Sequence, residues 1–100
     1  MNIARKITLI SKTYTYDDIG QAVEKEAYTY PFAWVRSVSA NEAQQAEDGF
    51  RRENVFDVRI TEYNNEDEIE HDGIRYTIYR TYVNTDKGVV ELYTQRRVGS

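Results

Sequence analysis

Hydrophobic and polar positions alternate with a period near two along most of the chain, as expected of strands with one face on a core. Asn54–Tyr63 alternates cleanly: Phe56, Val58 and Ile60 fall on one face, Val55, Asp57, Arg59 and Thr61 on the other. Ile74–Val83 places Ile74, Tyr76 and Ile78 inward and Arg75, Thr77 and Tyr79 outward. With Leu92 on a last strand, Val89–Arg97, these parities predict one continuous inner face of Phe56, Val58, Ile60, Tyr76, Ile78 and Leu92. Ile3–Lys12 reads as a first strand with Ile3, Ile7 and Leu9 on one face. A strand from about Val23 enters Phe32–Val38 through Pro31. Proline has no N–H for the ladder, so Pro31 predicts an edge, a bulge or a bend.

The breaks between these runs carry turn chemistry. Asp17, Asp18 and Gly20 predict a turn, with Gly20 free to take positive φ. Asp72-Gly73 between Ile69–His71 and Ile74 is a strong two-residue hairpin signal. Ser39–Gly49 is the one good helical window: Ser39 or Asn41 caps it, Glu42 falls in the first turn, and Gly49 ends it. Its apolar content is only Ala40, Ala43 and Ala46, so it is expected to face solvent or another subunit and to be ordered by that neighbour.

Composition agrees with strands. Val and Ile occur nine and eight times and Thr and Tyr nine times each, whereas leucine is limited to Leu9 and Leu92. β-branched and aromatic side chains suit a pleated, half-buried surface. The reading is all-β, mainly β with one short helix: a small antiparallel β-barrel of about six strands in a single domain, 1–100. The absence of cysteine removes a disulfide scaffold, a thiolate zinc site and a cysteine nucleophile. No apolar run approaches a membrane span, and no signal-peptide core follows Met1. A net charge of −4 argues against a general nucleic-acid binder.

Candidate chemistry is sparse. Glu66, Asp67, Glu68, Glu70, His71 and Asp72 are the densest set of metal-ligand types, but Gly73 follows them and no calcium-loop register exists. They read as an acidic, solvated hairpin that blunts a strand edge. Asp17 and Asp18 read as turn residues, and His71 as a solvated or hydrogen-bonded hairpin histidine. Arg51-Arg52 and Arg96-Arg97 read as surface or interface charges. The tyrosines at 14, 16, 28 and 30 have little apolar support and read as core closure or a protein interface. A module without catalysis, metal or cofactor is the favoured reading, with a small ligand-binding barrel or an enzyme using the Glu66–Asp72 cluster as the rival.

The order of segments is more specific than any of them. RKITLISKT, DDIGQAVE, FAWVRSV, SANEAQQAED, NVFDVRITEY, IEHDGIRYTIYRTY and VVELYTQRR follow one another. This resembles the head–tail adaptor, or head-closure (stopper), proteins of tailed phages. The matching positions are Ile7 and Thr8; Ala33, Trp34 and Val35; Glu42, Gln44 and Gln45; Val58, Arg59 and Ile60; and Ile69, Gly73, Ile74, Tyr76 and Ile78. The resemblance implies a structural protein of a phage or prophage virion, assembled in the bacterial host cytoplasm. It would form a homo-oligomeric ring between a portal-bound adaptor and a tail protein, sealing the DNA-filled head. DNA would pass through without tight binding, and no membrane would be involved. A tail-completion or tail-terminator protein of the same interface is the alternative. The 39–52 segment supplies the candidate subunit or partner contacts: Glu42, Gln44, Gln45, Glu47, Asp48, Arg51 and Arg52.

Overall fold

The computed structural model describes residues 4–98, which leaves Ile3 outside the described residues. The chain is mostly β with one short helix. Its strands are β1 (Ala4–Lys6), β2 (Thr8–Tyr16), β3 (Ala22–Thr29), β4 (Phe32–Ser37), β5 (Phe50–Arg51), β6 (Asn54–Arg59), β7 (Glu68–His71), β8 (Ile74–Asn84) and β9 (Val89–Arg97). The helix, α1, covers Ala40–Gln44, and a 3-10 turn covers Ile60–Glu62. Eight strands form an antiparallel sheet in the order β1-β4-β6-β9-β8-β7-β2-β3, and β5 pairs with the end of β9. The expected count of about six is therefore not exact.

The extra strands come from two corners. Ile7 interrupts the expected first strand, so β1 pairs with β4 while β2 pairs with β3 and β7. Pro31 interrupts the other, and the Ile7 N–H donates to the Pro31 carbonyl at 3.0 Å. Because β1 and β2 are separated by one residue, yet β1 stands at one end of the strand order and β2 next to the other end, the sheet has to curl into a half-barrel.

The concave side holds the core. Ala33, Val58 and Val90 form one cross-strand row and Val35, Phe56 and Leu92 the next. Leu9, Ile69 and Tyr76 close the far wall. Phe56, Val58, Tyr76 and Leu92 are buried as the alternation predicts, and Ile78 is half-buried against them. Ile60 and Ile74 are exposed instead. The 3-10 turn takes Ile60 off the strand before its side chain reaches the inner face, and Ile74 sits just after the hairpin tip.

That hairpin has the expected turn. Asp72 and Gly73 both have positive φ, 52° and 77°, which suits the right-handed twist of the flanking strands. Gly20, at φ 83°, completes the other predicted turn, where Asp17 Oδ1 accepts the N–H groups of Ile19 and Gln21 at 3.0 and 2.8 Å.

Candidate functional site

The convex face divides into a covered half and a bare half. Over the covered half runs the excursion between β4 and β6. Ser39 caps α1, its Oγ accepting the Glu42 N–H at 3.1 Å, but the helix ends after five residues rather than at Gly49. Gly49, at φ 86°, instead turns the chain into β5.

Glu42, not the alanines, fastens the excursion. Its carboxylate accepts from Arg52 at 2.9 Å, from the Tyr79 hydroxyl at 2.9 Å and from Arg80 at 2.7 Å. Tyr79 and Arg80 are sequence neighbours, and in a regular strand they would point to opposite faces. A bulge between Ile78 and Arg80 removes that constraint: Ile78 opposes Thr94 and Arg80 opposes Tyr93, with Tyr79 left over. Both side chains thus serve one carboxylate. The guanidinium of Arg52 lies 4.1 Å from the Tyr79 ring centroid and that of Arg80 4.1 Å from the Tyr93 ring. Burial, reinforced by the hydrogen bond to Glu42, pushes the Tyr79 phenol up to about 12. Beneath this latch Val55 is fully buried, so β6 is covered on both faces where alternation predicts a wet one.

The excursion is closed at its neck as well. The Val38 N–H donates to the Glu53 carbonyl at 2.9 Å, and Arg96 donates to the Glu53 carboxylate at 2.9 and 3.0 Å. Those Arg96 bonds hold the Glu53 carboxyl below its ordinary value of 4.5.

The predicted contact residues therefore separate. Glu42 and Arg52 are fastened inside the chain, with side chains 19% and 14% exposed. The expectation that the segment waits for a neighbour to order it is corrected: the Glu42 carboxylate, the Glu53 neck and the β5–β9 pairing supply within the chain the anchoring that three alanines cannot. Gln44, Gln45, Glu47 and Asp48 are exposed, and Arg51, 59% exposed, reaches only Glu53 at 3.6 Å. These five remain available to a partner.

The acidic stretch is dispersed rather than gathered. Glu66 is buried, against expectation: its Oε1 accepts the Asn64 N–H at 2.6 Å and its Oε2 the Thr29 hydroxyl at 3.3 Å, tying the 63–67 loop to β3. Glu68 faces Lys12 at 3.2 Å. His71 is not solvated; its ring lies edge-on to Phe56, centroids 5.6 Å apart, with Nε2 3.3 Å from Asp72. Among the described residues no three such groups are placed to hold a metal ion.

Beyond Ile10 the β2–β3 hairpin leaves the body as an arm. Its pairing continues from Ser11↔Ala27 to Tyr16↔Ala22, but neither strand has a second neighbour there. Tyr14, Tyr16, Ile19 and Tyr28 are exposed. Its root is braced by Lys12, which reaches Glu24 at 3.5 Å, and by Arg75, which donates to both Glu26 oxygens at 3.1 Å.

The bare half of the convex face presents Phe32, 58% exposed, and Trp34. With Ala4, Arg59 and Glu62 they line a groove of about 450 Å³. A hollow of about 200 Å³ continues it between Trp34, Asp57, Lys87 and Val89. This patch lies outside the expected contact segment, although Phe32 and Trp34 at spacing two on a strand that also alternates with Ala33 and Val35 are the signature of a strand apolar on both faces. The chain matches no family model and no curated protein.

Proposed function

We propose that this protein is a non-catalytic structural connector of a tailed phage or prophage, a head-closure protein that forms a ring below the portal and its adaptor and receives the tail. In this reading the half-barrel is the barrel of the family. β1 and β2 act as one bent strand and β3 and β4 as another, joined at Ile7 and Pro31, which makes a wall of six with the arm as an outgrowth. The observation that carries the reading is the asymmetry of the surface. An arm projects from one side, while a latched excursion with exposed Gln44, Gln45, Glu47, Asp48 and Arg51 stands on another. A head-to-tail ring requires two unlike surfaces on every copy. A net charge of −4 suits a conduit through which DNA slides, since each phosphate neutralised by a basic side chain would add affinity.

The test is negative-stain imaging of purified portal–adaptor complexes mixed with the protein. A further ring at the distal end of the adaptor is the expected result. Undecorated complexes at saturating protein would overturn the reading. Replacing Gln44, Gln45 and Arg51 with glutamate should reduce decoration while the isolated protein melts as before, because these side chains are exposed.

A further inference from the structure

Two exposed apolar features of this chain have no covering partner among the described residues. One is the arm tip. The turn needs Asp17 for its hydrogen bonds and Gly20 for its positive φ, but nothing in it needs Ile19, which is 78% exposed beside Tyr16 at 76%. The segment from Thr13 to Glu24 carries Asp17, Asp18 and Glu24 and no lysine or arginine. The other feature is the groove of Phe32 and Trp34. Arg59 lines it, Lys87 lines its continuation, and Lys6 stands opposite Phe32 in the β1–β4 register. Among the described residues none of these three cations forms an ion pair, whereas the exposed Arg51, Arg75 and Arg80 do.

We propose that the arm tip of one copy seats in the Phe32–Trp34 groove of a second copy, with Ile19 against the two aromatic rings and Asp18 facing Arg59 and Lys87. The inference rests on the ring reading, of which it names the contact. Charge decides the occupant: an acidic tip with an apolar residue at its point matches an apolar groove whose rim carries Arg59, Lys87 and Lys6 against Glu62 and an Asp57 already paired with Arg36. The two surfaces belong to the same chain but do not meet within it, since Ile19 and Phe32 are both exposed. Six residues of β2, Ser11 to Tyr16, at ~3.4 Å each carry the tip about 20 Å beyond Ile10, the last residue of β2 paired with β7, far enough to reach across a subunit boundary. The two surfaces are unlike, so where the seating is not reciprocated within a pair the contact is head-to-tail and repeats from copy to copy, as the ring reading requires.

The absence of cysteine makes the test direct. Ile19→Cys and Phe32→Cys chains are purified separately, mixed at high concentration and oxidised mildly. The mixed pair should form disulfide dimers about tenfold faster than either variant alone or than Ile19→Cys mixed with the equally exposed Tyr82→Cys. A chain carrying both cysteines should give a ladder of covalent oligomers. Asp18→Lys should slow the mixed reaction, and Asp18→Lys combined with Arg59→Glu on the facing chain should restore it. All five positions are exposed, so folding is not at stake. Equal rates in every pairing, or no covalent dimer at all, would overturn the proposal. The readout uses the purified chain alone, so a ladder without portal binding would sink the connector reading and keep this contact. Portal-bound rings without the cross-link would do the reverse.

Discussion

The β6–β9 pair and the outer length of the β2–β3 hairpin are written in the same alphabet, β-branched and aromatic residues in alternation, yet they meet opposite fates. In β6 and β9, Val55, Phe56, Val58, Val90 and Leu92 are all buried, because the concave core lies on one face and the Glu42 latch covers part of the other. In the arm, Tyr14, Tyr16 and Val23 are exposed, and each strand has only the other as neighbour. A two-stranded ribbon on its own is marginal in water. Strand propensity makes both regions strands, but only the neighbours make one of them a core. The arm keeps its register without a core of its own.

The largest effect is expected in the body. Leu92→Ala removes a fully buried side chain from the centre of the inner face, and should cost ~2–5 kcal/mol in urea melts. The covered convex face comes next. Glu42→Ala leaves Arg52, Arg80 and Tyr79 without their shared acceptor, and should cost ~1–3 kcal/mol by the same measurement. A loss near zero would mean that the excursion is as loosely held as the arm.

The latch also predicts a pH dependence. The folded state holds the Tyr79 phenol up to about 12, against an ordinary 10.0. Its contribution is complete below 10.0 and is lost as pH rises from there through about 12. Thermal melts across that window should fall more steeply for the parent chain than for Tyr79→Phe. The smallest effect belongs to the arm. Tyr14→Ser should change stability by no more than ~0.5 kcal/mol, as for other exposed sites without partners. A cost comparable to that of Leu92→Ala would erase the distinction between body and arm.

How much of this was legible depends on how local the cause was. Asp72-Gly73, Asp17 with Gly20, and the Ser39 cap act over a few residues, and each stands where its chemistry predicts. The inner parity of Phe56, Val58, Tyr76 and Leu92 was legible for the same reason, since alternation within one strand sets which side chains share a face. Ile60 escaped because a 3-10 turn interrupts the period after Arg59. The candidate contact segment was legible as an excursion, but not as one latched by Glu42.

What the sequence determined by itself was the state of each segment: strand, turn or short helix, and which residues lie together along it. What only the tertiary structure decided was where each strand finds its neighbours. The switch of partners at Ile7 and Pro31 joins strands far apart in the chain: Pro31 announces a break, but nothing local at either residue says which strands meet beyond it. The bulge at Tyr79 is legible only against β9, and the burial of Glu66 and Val55 only once β3 and the excursion lie over them. The physical reason is that alternation is a property of one strand, whereas pairing and burial are properties of the surfaces that strand is brought against.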